Sequence, residues 1–395
     1  MFEALVLNMK ARTKLLASLL LLVFLSFTGC TKTSAPVDQP ANSPAAASEP
    51  QNAAGGATPA GSIKHFKGSI GSTLGLQMKL VREGDHLAGS YRYQKVGTPI
   101  DIRGTIDKDG NVSIDEFDAS GKQTGNFQGL WTEGEDGLIA IAGNWAKRDT
   151  NKKTAFSLHE EPIEFSSGVE IVTRRIKESN KDLKYEIDAE YPQLTGSGSP
   201  NFEKFNQTVR GLITKKVSDF KQEMEPAPDD PPASELPGES MGNDLHIGYD
   251  TALAKDDLIS IKFVVGSYYA GAAHPNSYSE VVNFDLKNGK LLKLADLFEP
   301  ASKHLQTIAA YCIAELKRQG KQKGEEALPD HEWIDRGAGA DAENYGSWTI
   351  GKKGLGITFD AYQVASYAQG PQYVLVPYTK LKDLIRSDGL IDQFR

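Results

Sequence analysis

The sequence predicts a multi-domain protein, with an all-β antiparallel barrel-like unit ahead of an α+β domain built on an antiparallel sheet and about three helices. Three observations carry that expectation. Residues 63–160 read as short strands at regular spacing, separated by Gly, Asp and Asn turns. Residues 165–395 mix strands and amphipathic helices in blocks, with hairpins between them. Residues 30–62 are an Ala/Pro/Ser-rich run with no aromatic residue, too polar to fold and suited to a tether.

The 395 residues suffice for two or three domains, and 39% hydrophobic against 24% charged residues is a globular composition. Net charge is −8; residues 1–29 hold Lys10, Arg12 and Lys14 against Glu3, so the remainder carries −10. An acidic surface without a basic stripe argues against nucleic acid and leaves basic partners allowed.

The first 29 residues read as a lipoprotein signal peptide. Met9 to Lys14 is a basic stretch, Leu15 to Phe27 an apolar run short of the ~20 residues a membrane span needs, and Cys30 follows two small residues. Because Met9 opens the pattern, residues 1–8 read as an upstream start. The boundary resembles the lipobox of bacterial lipoproteins, with Phe27 an unusual residue in it. The resemblance implies an acylated Cys30, a membrane anchor, and a place in the cell envelope. Thr31 after the cysteine resembles the outer-membrane sorting pattern. With Cys30 so used, no disulfide is expected; Cys312, inside a helical stripe, reads as a small buried hydrophobe.

In the first folded unit, the predicted strands are 74–82, 87–94, 100–106, 112–117, 125–132, 138–146 and 154–159, with turns at Glu83-Gly84-Asp85, Asp109-Gly110-Asn111 and Glu135-Asp136-Gly137. Gly129-Leu130-Trp131 and Gly143-Asn144-Trp145 echo each other, as glycines relieving curvature on successive strands would. Trp131, Trp145, Tyr91 and Tyr93 are read as core rings, the alternative being a barrel mouth for a small ligand.

In the second unit, strands are expected at 170–176 and 185–191, the latter ending at Pro192. Ser199-Pro200 opens a helix whose stripe runs from Phe202 to Met224. An acidic Pro-rich loop, 225–238, leads to strands at 245–254 and 258–269. A turn carrying His274, Pro275 and Asn276 leads to a strand at 277–286. A helix follows at 302–319, then a polar segment at 320–344, strands near 349–350, 356–359 and 373–376, and a last helix capped by Thr379.

Chemistry is sparse. No His-x-x-x-His or Glu-flanked ligand spacing is present, so no metal or other cofactor is expected. Gly238-Glu239-Ser240-Met241-Gly242 matches the hydrolase elbow by letter, but a Pro-rich loop precedes it where a buried strand is required. Asp229-Asp230 and Asp256-Asp257 sit in turns and read as solvated. His274 is the best single candidate, hydrogen-bonding a partner or glycan with Asn276, Tyr269 and Tyr362, or fixing its turn through a carbonyl or Asp360.

Tyr269-Ala270-Gly271-Ala272-Ala273-His274-Pro275-Asn276 resembles the Tyr-x-Gly-Gly-Ala-His-Pro-Asn motif of the RsiV-like bacterial extracytoplasmic family. Phe284 to Lys290, Leu294 to Phe298, and Phe359 to Ala365 with Tyr367, Gly370-Pro371 and Pro377-Tyr378 extend the resemblance. Residues 266–395 would form that domain, and 165–265 the one preceding it, which also occurs beside a peptidoglycan deacetylase module. The family forms the ectodomain of an anti-sigma factor that binds lysozyme. The resemblance therefore implies a non-catalytic binding protein for a muramidase, or for peptidoglycan, through Tyr269, Gly271, His274, Asn276, Asp360 and Tyr362. The rivals are an envelope hydrolase and a small-ligand carrier through the barrel. Ala272 departs from the family's Gly, which puts in doubt a φ > 0 conformation there. No transmembrane helix, sigma-binding segment or deacetylase module with Asp and His ligands is visible.

Overall fold

Eight strands close into an antiparallel barrel: β1 (Ile63–Ile70), β2 (Leu74–Glu83), β3 (His86–Tyr93), β4 (Ile100–Ile106), β5 (Asn111–Phe117), β6 (Gln123–Glu133), β7 (Ile139–Lys147) and β8 (Lys153–Glu161). Each pairs with its neighbour in sequence, and β1 pairs back onto β8, so no edge is left open. The computed structural model describes residues 63–94, 98–150, 152–166, 168–225, 242–323 and 331–395. Cys30, the signal and tether, Asp229-Asp230 and residues 238–241 of the elbow-like stretch lie outside the described residues.

Strand alternation fills the barrel. Phe66, Leu76, Met78, Leu80, Tyr91, Ile114, Phe127 and Ile141 are buried in one cluster, while their sequence neighbours face outward. Of the rings read as core, Tyr91 is buried, and Tyr93, Trp131 and Trp145 are half-buried against the cluster. Tyr91 donates to Glu116 Oε2 at 2.7 Å and Trp145 Nε1 to the same oxygen at 3.0 Å, while Thr124 donates to Glu116 Oε1 at 2.7 Å. A carboxylate only 6% exposed is tolerated because these donors satisfy it. Trp131 packs edge-on against Phe66, and Tyr93 against Tyr91.

β1 is a strand that the sequence reading missed. Its outward positions are Ile63, His65, Lys67 and Ser69, and Lys64 and Gly68 share the inward row with Phe66 and Ile70, so it shows little apolar pattern.

The mixed sheet that follows runs β10 (Glu170–Asn180), β11 (Tyr185–Thr195), β12 (Asn243–Lys255), β13 (Leu258–Tyr268), β14 (Asn276–Asp285) and β15 (Lys290–Leu291), with β9 (Ile163–Glu164) beside β12. β11 and β12 are parallel, as are β9 and β12; the other pairs are antiparallel. The β11–β12 crossover uses helix α1 (Pro200–Glu223), which buries Phe202, Phe205, Val209, Ile213, Val217 and Phe220 against the sheet. Ser199 and Pro200 occupy the N-cap and first turn as expected, although the serine side chain makes no capping bond.

β11 runs through Pro192 instead of stopping there. It pairs with β12 only over Tyr185–Ala189, so the proline lies where that side of the strand has no partner and its missing N–H costs no ladder bond.

A three-stranded sheet, β16 (Trp348–Ile350), β17 (Gly354–Phe359) and β18 (Gln372–Pro377), packs with helix α2 (His304–Lys323) into a further core. Cys312 is fully buried there, and burial pushes its thiol up to about 12, the behaviour of an inert packing residue. The polar segment hides helix α3 (His331–Gly337), a short element with Ile334 as its buried anchor. The last helix is shorter than expected. α4 (Tyr378–Leu381) has Pro377, not Thr379, at its N-cap.

Candidate functional site

The β13–β14 turn meets the loop after β17 at the seam between the two sheets. Ser267 pairs with Asn276, leaving residues 269–275 as the connection. It is closed by Ala272 N–H donating to Tyr269 O at 2.9 Å. Gly271 takes φ +90, in the left-handed region that favours glycine, whereas Ala272 is not among the positive-φ residues. The departure at Ala272 therefore carries no backbone penalty.

His274 is exposed and lies flat on Tyr367, with ring centroids 3.9 Å apart and 25° between planes. Its Nδ1 is 2.8 Å from Pro275 O, an acceptor only, so Nδ1 carries the proton. Nε2 is then left to accept from the Tyr362 hydroxyl at 3.3 Å. Tyr367 donates to the same Pro275 carbonyl at 2.7 Å. His274, Tyr362 and Tyr367 thus form one ring cluster, its first two members 88 residues apart in sequence.

Tyr362 is the strained member. Its φ is +70, a region costly for a side chain with Cβ, yet its ring is 53% exposed. The backbone is held by Tyr362 N–H donating to Ala365 O at 3.0 Å and by Trp333 Nε1 donating to Tyr362 O at 2.9 Å. An exposed ring kept in a strained backbone is packed for no core, and burial does not explain it.

Asp360 works at the seam. Its two carboxylate oxygens accept the Ser279 N–H at 3.1 and 2.9 Å, clamping the β17 loop onto β14. It does not bond His274, whose turn is fixed through Pro275 O. Tyr269 turns the other way, donating to Glu223 Oε2 at 2.5 Å and packing near Phe220 of α1; burial, then Glu223, pushes its hydroxyl up to about 12. Asn276 is exposed and contributes its backbone to the ladder. Of the six candidates, His274 and Tyr362 meet directly, Asp360 secures them, and Tyr269, Gly271 and Asn276 shape the turn.

Sequence reasoning left Tyr367 and Trp333 out of the site. Tyr367 was within reach, as an aromatic in the same tail as Tyr362. Trp333 gave no signal, since it lies on a helix concealed in a polar segment. Chemically, the cluster offers aromatic faces and hydroxyls for stacking and hydrogen bonding. Among the described residues, no group of three or more His, Cys, Asp or Glu is placed to hold a metal ion.

The chain is 21% identical over 250 residues to the peptidoglycan-N-acetylmuramic acid deacetylase PdaC of Bacillus subtilis strain 168. That match covers 63% of the chain and 48% of the relative, so it spans about half of that protein's length. Among solved structures, a member of the DUF3298 family from Bacteroides fragilis NCTC 9343 has 20% identity, a TM-score of 0.43, and coverage of 57% of this chain and 97% of that one. A DUF3298 family protein from Pseudomonas aeruginosa PAO1 gives 14%, 0.38, 55% and 95%. Residues 295–379, from the end of the mixed sheet through β18 to the start of α4, carry a domain matching the family described as a protein of unknown function, DUF3298.

Proposed function

We propose that this chain is a non-catalytic cell-envelope protein whose C-terminal region binds peptidoglycan glycan through the His274–Tyr362–Tyr367 cluster. The observation that carries the reading is Tyr362, strained at φ +70 and 53% exposed, with its hydroxyl on His274. Rings presented to solvent by a fixed loop suit the flat faces of sugar rings, and the hydroxyls suit their polar rims. Likeness to a deacetylase named for peptidoglycan N-acetylmuramic acid supports a wall ligand.

The test is sedimentation of the protein with purified wall glycan. Tyr362→Gly should weaken the association about tenfold or more, as loss of an aromatic anchor does. Glycine relieves the positive φ, so stability should change by no more than about 1 kcal/mol. Unchanged association of Tyr362→Gly would overturn the reading. A second reading, a basic muramidase seated on the same rings, is favoured by the −10 charge of residues 30–395. Calorimetry with lysozyme distinguishes it, since the glycan reading expects no heat there.

The envelope placement includes a diacylated Cys30, with residues 30–62 as tether. Acyl chains contribute about 0.8 kcal/mol per buried methylene, so loss of them is decisive. The intact chain should enter the detergent phase on cloud-point separation and incorporate labelled palmitate, and Cys30→Ser should do neither. Equal partition of the two chains would remove the anchor from this reading.

A further inference from the structure

The outer face of the barrel carries a polar surface that its own core does not use. Met78 and Tyr91 point inward, so Lys79 and Gln77 on β2, and Ser90 and Arg92 on β3, stand outside. Register places His65 opposite Lys79, and Gln77 opposite Arg92. Against this face lies the start of β10, joined by Gln77 Nε2 donating to Thr173 Oγ1 at 3.1 Å and by the Lys79–Glu170 ion pair at 2.7 Å. Between them is a cavity of about 230 Å3, lined by His65, Ser90, Arg92 and Glu161 from the barrel and by Glu170 and Ile171 from the chain leaving it. One buried water needs about 10–15 Å3, so the space admits a molecule of many heavy atoms.

We propose that this cavity binds a small carboxylate bearing hydroxyl or amide groups, of the size of a sugar acid or an N-acyl amino acid, with its carboxylate on Arg92. The charges at the cavity decide the sign. Glu170 is paired with Lys79 and feels Arg92 only through space, whereas the hydrogen bonds of the Arg92 guanidinium go to the neutral Gln77 Oε1, at 3.3 and 3.1 Å. Among the described residues no carboxylate forms an ion pair with Arg92, in a protein rich in acids. Guanidinium groups have five donors and a planar fork that matches a carboxylate, so this one has capacity to spare. Burial raises the carboxyl of Glu161, which lessens its resistance to an incoming anion, while Lys67 pulls the other way.

His65 sets the second feature. Burial, then Lys79, lowers its pKa to about 4, so the ring is neutral near pH 7, with one nitrogen to donate and one to accept. No hydrogen bond within the described residues uses either nitrogen. That pairing of donor and acceptor suits a hydroxyl or amide. Ile163, Val169 and Ile171 offer the carbon skeleton an apolar wall.

This site stands apart from the ring cluster and does not depend on it. The test is NMR titration of the full chain with N-acetylmuramic acid and N-acetyl-D-alanine, against N-acetylglucosamine, which lacks the carboxylate. One or both acids should shift the resonances of β1, β3 and β10, and N-acetylglucosamine should not. Arg92→Gln should weaken acid binding about tenfold or more, and Arg92→Lys less, while Tyr362→Gly leaves it intact. Ser90→Val, which removes a hydroxyl and narrows the cavity without touching a charge, serves if Arg92→Gln fails to fold, and should also weaken the shifts. Binding by none of the acids, equal binding by N-acetylglucosamine, or unchanged binding by both Arg92→Gln and Ser90→Val would overturn the site.

Discussion

Replacing Gly143 by valine destabilises the protein by about 4 kcal/mol or more, a loss in the range reserved for named structural failures. Gly143 lies directly opposite Gly129 where β6 and β7 pair. A Cβ added at Gly143 would stand 2.0 Å from Gln128 O and 2.4 Å from Gly129 Cα, both backbone atoms. No side-chain rotation relieves such a contact, so the two strands must part and the ladder between them open. The same geometry recurs around the barrel. Cβ atoms at Gly68, Gly89 and Gly104 would lie 1.9, 1.9 and 2.1 Å from the carbonyl oxygens of Ser157, Lys79 and Ser113. Glycines on several strands let a small barrel coil tightly enough to close. Urea denaturation followed by tryptophan fluorescence checks this, since Trp131 and Trp145 are in the barrel. Gly211→Ala is the contrast: it is exposed within α1 with open space at its Cβ, so it should raise stability by about 1 kcal/mol. A Gly143→Val chain as stable as the parent would mean that barrel closure does not need the glycine.

That glycine pair was legible in the sequence because the barrel repeats it on consecutive strands. The barrel itself was legible because turn residues punctuate it: Gly84, Gly110 and Gly137 all take positive φ at the expected turns. What hid was whatever tertiary contact decides. β1 has so few inward apolar residues that only its two neighbours, β2 and β8, make it a strand. Pro192 reads as a stop until the pairing of β11 with β12 is known to end three residues earlier, at Ala189. For the site, the turn at His274 announced itself through small and polar residues. The φ of Tyr362, the donation by Trp333 and the separate allegiance of Tyr269 to α1 did not. They depend on which loops the two sheets bring together, and local pattern carries no such information. The cavity beside Arg92 was invisible for the same reason: its walls come from strands of the barrel and from β10.

Substituting Asn283 by alanine should cost about 3–4 kcal/mol and loosen the ring cluster with it, because it strands two buried polar groups. Asn283 on β14 is 2% exposed and faces Ser260 on β13, which is fully buried. Ser260 Oγ donates to Asn283 Oδ1 at 2.6 Å, and Asn283 Nδ2 donates to Trp348 O at 2.8 Å. Ile350 N–H donates in turn to Ser260 Oγ at 2.9 Å. Trp348 and Ile350 belong to β16, whose ladder partner is β17, so these two side chains take the place of a further strand at its other edge. The bridge and the Asp360–Ser279 clamp are two connections from β14 to the sheet that carries Tyr362. Asn283→Ala leaves the Trp348 carbonyl and the Ser260 hydroxyl without that partner. Asn283→Asp should cost at least as much, since it sets a carboxylate against a carbonyl in a buried site. In the double variant with Ser260→Ala, the second change should cost less than it does alone, the signature of a shared network. Glycan association should weaken in parallel, because His274 stays with one sheet and Tyr362 with the other. Full-strength association by an Asn283→Ala chain of lowered stability would separate the site from the seam, and place its rigidity in the Asp360 clamp alone.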